Sequence, residues 1–298
     1  MYNIHTIDLQ FQGISNTIGV YLIKYNNSGA LVECGPGSTI SNLKKALSHF
    51  DLTPEDITDV FLTHIHLDHA GSAGWWAQKG AQIHVHNVGA PHLINPDKLL
   101  ASAGRIYGDL MGPLWGDFLP VPEGQINPVI DNDLIELDGL TFQALDTPGH
   151  ANHHISYLLD GVCFCGDVGG VHMQGIPFVR LPSVPPEFNP GKWRRSIQRF
   201  KDKRITAFAP THFGIHHNAS GHLEALEEEL NLVEKWMEGI MPSDPTQAEL
   251  REKYQKWINE RSIKAGLSET QKNKYNIAIS SEMSADGIYR YWHKFHNQ

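Results

Sequence analysis

Two strand-like stretches, residues 18–24 and 30–33, flank Asn26-Asn27-Ser28-Gly29, whose polarity and glycine predict a hairpin connection. Capping hydroxyls at Ser38 and Thr39, followed by Leu43, Ala46, Leu47 and Phe50 at helical spacing, predict a helix that ends before Asp51. Residues 59–63 then read as a short buried strand. It delivers its end to a histidine-rich turn and a helix near residues 70–78, and residues 82–86 read as the next parallel strand. Residues 89–125 carry five prolines around short helical pieces and predict an inserted lid, with Tyr107, Trp115 and Phe118 as pocket aromatics. Strand signals resume at residues 134–137 and 141–145 around Asp138-Gly139, and at 155–159 and 162–165 around Asp160-Gly161, each an Asp-Gly hairpin turn. A proline-rich loop over 175–190, with Phe178 as a further pocket wall, leads to a helix near 192–200 and a strand at 206–210. Beyond Gly221 only helical periodicity remains, with Leu223, Leu226, Leu230, Val233 and Trp236 recurring between glutamates. The expected organisation is an α/β domain over 1–221 and a helical region over 222–298.

Composition narrows the classes. With 298 residues, 41% hydrophobic and 19% charged, the chain is a globular one that can bury a full core. Twenty-four basic residues against 33 acidic ones leave a net charge of -9, the wrong sign for gripping phosphate backbones, so no nucleic-acid partner is expected. No apolar run approaches the length of a membrane helix, and the first residues carry neither a basic nor an apolar leader region, so the expected setting is the cytoplasm, away from membranes. Cys34, Cys163 and Cys165 are odd in number and sit in strand-like contexts, which predicts buried free thiols. Eighteen histidines are roughly two to three times ordinary usage, which raises metal ligation.

Their placement sharpens that question. The turn after the 59–63 strand reads His64-Ile65-His66-Leu67-Asp68-His69, a His-x-His-x-Asp-His pattern that composition alone would produce with a probability of about 0.004. A strand-to-helix turn can aim His64 and His66 at one ion, while Asp68 and His69 reach a second. Three later strand ends offer further ligands: His150 after Pro148-Gly149, Asp167 after Gly166, and His212 after Pro210-Thr211. His84-Val85-His86 also spells His-x-His, but its alternation predicts an exposed strand face rather than a metal site. His153, His154, His216, His217 and His222 are at most pocket-rim residues, with His154 equally suited to supporting a ligand.

In this order of motifs, the chain over about residues 1–220 resembles the metallo-β-lactamase superfamily. The resemblance implies an αββα sandwich with metals at one edge. It implies one divalent ion held by His64, His66 and His150, a second held by Asp68, His69 and His212, and Asp167 bridging them. Two zinc ions are expected, with iron or manganese as the alternatives. The chemistry expected of such a pair is a bridging water that ionises near neutral pH, with Asp68 orienting it or carrying a proton to the leaving group. One departure is visible: the strand-end acid of the family is usually Asp, and here the stretch is Val32-Glu33-Cys34-Gly35.

Within that superfamily, the bridging Asp167 and the missing leader argue against a secreted β-lactamase. Val168-Gly169-Gly170 lacks the tyrosine that lactonases of acyl-homoserine lactones commonly place after the bridging Asp. Hydroxyacylglutathione hydrolases share the seven-ligand pattern and a helical C-terminal region, although their basic C-terminal signature is not evident in Tyr289-Arg290-Tyr291-Trp292-His293-Lys294. Flavodiiron proteins replace the second histidine, here His66, by Glu. The expected function is a dinuclear hydrolase of a small ester, thioester or lactone. The alternative is a persulfide dioxygenase-like oxidoreductase with one iron. Trp236, Trp257, Tyr289, Tyr291 and Trp292 offer anchors either for a homodimer or for packing on the sandwich.

Overall fold

In the computed structural model, residues 2–295 are described; Met1 and residues 296–298, the outer ends of the two expected segments, lie outside them. The chain divides into two compact units: the residues up to Asp146 together with Ile155–Asp160, and Thr147–His154 together with the chain from Gly161 onward.

The first unit is built on a six-stranded sheet in chain order: β1 (Tyr2–Asp8), β2 (Gly19–Tyr25), β3 (Ser28–Val32), β4 (Ile57–Phe61), β5 (Gln82–His86) and β6 (Ile126–Val129). β1, β2 and β3 are antiparallel neighbours, and β3 through β6 run parallel. Parallel strands need crossovers, and these supply α1 (Ile40–Ser48), α2 (Leu67–Ala70), α3 (Ala73–Gln78), α4 (Ala90–Ile94), α5 (Asp97–Tyr107) and α6 (Met111–Trp115). α1 buries Leu43 and Leu47, two of the residues whose spacing predicted it. A second set of strands in this unit, β7 (Leu134–Leu137), β8 (Leu140–Asp146) and β9 (Ile155–Leu159), forms an antiparallel meander. The two layers meet through aromatics: Phe61 of β4 stacks on Phe142 of β8 at 4.2 Å and meets Tyr157 of β9 edge-on at 5.2 Å. Asp138 and Gly139, like Asp160 and Gly161, all have positive φ, the conformation that two-residue hairpin turns demand and that Asp-Gly pairs tolerate.

The second unit contains β10 (Val162–Phe164), β11 (Val171–His172), β12 (Val179–Arg180) and β13 (Ala207–Phe208), with β10 parallel to β13 and β11 antiparallel to β12. α7 (Pro190–Lys201) starts at Asn189, whose side chain accepts from the Lys192 amide. The remainder is helical: α8 (Ala219–Ile240), α9 (Gln247–Lys264), α10 (Glu269–Ala278) and α11 (Ser281–Phe295). Thr246 and Ser268 each open a helix with a reciprocal capping box. Arg261 of α9 pairs with the buried Glu229 of α8, and Arg251 pairs with Asp286 of α11. Phe178 packs with Val171, Met173, Leu267, Tyr275 and Ile279 in an apolar cluster that ties the β11–β12 hairpin to the C-terminal helices. No described helix is long and apolar enough to cross a membrane.

Candidate metal centre

Parallel strands place their C-terminal ends on one edge of a sheet, and β4 ends there in Thr63 and the histidine turn. His64 Nε2 and His66 Nδ1 converge to 3.0 Å, while Thr63 Oγ1 lies 3.1 Å from the other ring nitrogen of His64. His66 is the N-cap of the one-turn helix α2, which turns Asp68 and His69 onto the next face, with Asp68 Oδ2 3.4 Å from His69 Nε2. The loop is pinned from behind: the Cys34 and Gly35 amides both donate to the His69 carbonyl, at 2.9 and 3.0 Å.

Glu33 explains the departure noted at the end of β3. It is 1% exposed, and its Oε1 accepts from Thr63 Oγ1 at 2.5 Å and from His69 Nδ1 at 3.0 Å. The Thr63 amide donates to its other oxygen at 3.3 Å. This carboxylate fixes the His69 tautomer, with the proton on Nδ1 and a lone pair on Nε2, which is how metal-binding histidines are usually supported. Its φ of 64° lies in the left-handed region, an uncommon conformation for a non-glycine residue.

The second unit carries the other predicted ligands. Gly149 has φ 149°, and a Cβ there would lie 2.6 Å from the Trp193 backbone, so only glycine allows α7 to approach the His150 turn so closely. His150 Nδ1 donates to the Pro182 carbonyl at 2.7 Å, which leaves Nε2 as its ligand atom. Asp167 lies in the single 3-10 turn after β10, held by Trp193 Nε1 donating to the Val168 carbonyl at 2.9 Å. Its two oxygens face different histidines: Oδ2 is 3.4 Å from His150 Nε2, and Oδ1 is 3.4 Å from His212 Nε2. A carboxylate set between two imidazoles in this way is disposed to bridge two cations.

Other expectations were altered by packing. His84 and His86 are buried, 4% and 8% exposed, instead of forming an exposed strand face. β5 lies between two parallel neighbours, and His84 is satisfied by Asp59 at 2.7 Å and Asn127 at 2.8 Å and stacks on Phe61. His154 is buried beneath the site rather than on a rim; it pairs with Thr147 Oγ1 at 2.9 Å and accepts from the Val168 amide at 3.4 Å. Tyr107 meets Trp115 edge-on at 5.1 Å, and burial together with the Asp68 charge raises its phenol well above the ordinary value. Phe178, by contrast, is committed to the apolar cluster of its own unit. All three cysteines are buried and in no disulfide, and burial pushes the Cys34 thiol up to about 12.

The donor set in each unit is made of neutral imidazole nitrogens and carboxylate oxygens, with no thiolate, which fits divalent transition ions of borderline softness. An α/β layered fold with such donors at strand ends defines a metal-binding protein. The chain belongs to the metallo-beta-lactamase superfamily, whose family model matches residues 18–212. It is 28% identical over 175 residues to the metallo-beta-lactamase fold-containing protein ST1585 of Sulfurisphaera tokodaii, a match covering 56% of this chain and 66% of that protein. The crystal structure of that archaeal protein superposes with a TM-score of 0.68 at 22% identity, covering 97% of this chain and 99% of the other, and shows the same fold. The chain is also 30% identical over 148 residues to a hydroxyacylglutathione hydrolase of Aeromonas hydrophila, covering 50% of this chain and 45% of that protein. With an atrochrysone carboxyl ACP thioesterase of Aspergillus fumigatus it shares 31% identity over 113 residues, 37% of this chain and 27% of that protein. The matched stretches thus span less than half of the two relatives named as enzymes.

Proposed function

We propose that the protein is a metal-dependent hydrolase with a dinuclear centre, acting on a small ester, thioester or lactone. In this reading His64, His66 and His150 hold one divalent ion, Asp68, His69 and His212 hold a second, and Asp167 bridges them. Zinc is the metal of first choice. The observation that carries the proposal is Asp167, whose separate oxygens each address a different histidine. The relatives named as a hydroxyacylglutathione hydrolase and an acyl-carrier thioesterase support cleavage of an acyl bond.

Bound together, the two ions would supply a water acidic enough to ionise near neutral pH and a Lewis acid for the scissile carbonyl. The chain's own residues supply the rest. Glu33 and the Pro182 carbonyl hold His69 and His150 in the tautomer that presents Nε2. Asp68 is partly exposed, so its carboxylate can orient the attacking water and pass its proton towards the leaving group. Tyr107, kept protonated by burial and by Asp68, and Trp115 wall the acyl group against water. The three buried free thiols suit a reducing compartment, and we assign the protein to the cytoplasm, acting on a small molecule rather than on nucleic acid.

A panel of thioesters, aryl esters and lactones assayed with zinc, and again after chelation, tests the reading. Chelator-sensitive turnover that is lost in Asp167→Ala is expected. Turnover that survives complete metal removal would overturn it.

A further inference from the structure

Three histidines outside the motif converge within the second unit. His172 ends β11, His216 lies in the loop after β13, and His222 is in the first turn of α8. Each offers a nitrogen lying within 4.8 Å of the others. His172 Nδ1 and His222 Nδ1 face one another at 2.9 Å. His216 Nε2 donates to the His172 carbonyl at 2.8 Å, so a neutral His216 carries its ring lone pair on Nδ1. His172 and His216 stack at 4.0 Å, and His222 stacks on Phe208 at 4.9 Å.

Among the described residues none of these rings forms an ion pair with a carboxylate, and His222 is only 2% exposed. Two imidazole nitrogens at 2.9 Å are bridged either by the N–H of one neutral ring donating to the lone pair of the other or by a cation bound between them. His172 and His216 are half-buried, which leaves a route in from solvent.

We propose that His172, His216 and His222 form a further metal site, distinct from the motif ligands, for one divalent transition ion such as zinc, cobalt or copper. An all-imidazole set with no carboxylate selects these ions over magnesium or calcium, and three histidines leave a fourth position for water. The ion would clip β11, the loop after β13 and the start of α8 together. That clip braces the loop that carries His212, because the His172 amide donates to the His212 carbonyl at 2.6 Å. The assignment is independent of the dinuclear reading.

The test uses the untagged 298-residue chain, stripped with chelator and titrated with Co2+, with uptake followed by visible absorption and plasma mass spectrometry. His216→Gln and His222→Ala are each expected to bind about one equivalent fewer than the parent, and Zn2+ to raise the melting temperature of the parent more than theirs. Asp167→Asn is expected to retain this ion, which separates the cluster from the motif residues. Because His216 is half-buried, its Gln variant carries the test if His222→Ala does not fold. Equal uptake by the parent and His216→Gln, or loss of every ion in His216→Gln, would overturn the proposal.

Discussion

Replacing Glu33 by Gln probes how the strand end controls the site. Glu33 accepts from Thr63 Oγ1 and His69 Nδ1 on Oε1 and from the Thr63 amide on Oε2, and is fully enclosed. The amide keeps the volume but offers one acceptor oxygen. With that oxygen kept on Thr63 Oγ1 and His69 Nδ1, the NH2 group points at the Thr63 amide, a donor against a donor; reversed, it points at His69. Leaving one buried donor unsatisfied costs about 1–3 kcal/mol. For the metal, a lost supporting partner typically weakens affinity about 10–100-fold, equivalent to roughly 1.4–2.7 kcal/mol. The assay is competition with a fluorescent chelator for the more weakly held motif ion, beside thermal melts of the metal-free protein. Glu33→Gln is expected to weaken that ion by at least tenfold and to lower the melting temperature of the metal-free protein by a few degrees. Glu33→Asp, one methylene too short to reach both Thr63 and His69 from the same backbone, is expected to fall between. Chelator competition and melting both unchanged in Glu33→Gln would refute the assignment of Glu33 as the group that positions His69.

With metal supplied in excess so that the proposed sites stay filled, Asp68→Asn is expected to lower kcat by about 10²–10⁴, since the amide cannot take a proton; full turnover with the metal bound would remove Asp68 from the reaction. Phe61→Ala, which deletes the ring joining the two layers of the first unit, should cost about 3–5 kcal/mol in urea unfolding, and a cost below about 1 kcal/mol would mean that the layers do not depend on it. Arg261→Ala strands the buried Glu229 carboxylate and should destabilise by about 3–5 kcal/mol, read from the same unfolding curves. Because His172, His216 and His222 titrate lower in the folded protein than in the unfolded chain, the unfolded state binds more protons between pH 6.5 and about 4. Their contribution is complete above pH 6.5 and is lost as the pH falls towards 4, so the metal-free protein should melt lower at pH 5 than at pH 7, and less so when His172 is replaced by Gln.

The features legible in the sequence were those set by local spacing. The Asp-Gly turns, the α1 stripe and the His64–His69 run each depend on residues a few positions apart, and each formed where expected. The short strands β6, β11 and β12 went unread because their residues sit in proline-rich stretches and are strands only by virtue of distant partners. His84 and His86 were misassigned for a related reason: alternation reports two faces, but whether a face is covered is decided by the layer packed on it, here β8 and β9 through Phe142 and Tyr157. The helix after the motif is broken into α2 and α3, where the Ser72 amide is drawn to the Gly35 carbonyl. Glu33 was visible as a departure from the family pattern, yet its role emerged only with Thr63 and His69 folded around it. The three-histidine cluster joins positions fifty residues apart, from His172 to His222, and carries no sequence signal at all.

The most direct test of the proposed dinuclear site is a metal count by plasma mass spectrometry on protein purified without chelator, in the His216→Gln background so that only the motif residues are read. The account predicts about two divalent ions per chain, falling to about one when His212→Ala is added. A single iron per chain, unchanged by the loss of His212, would contradict it.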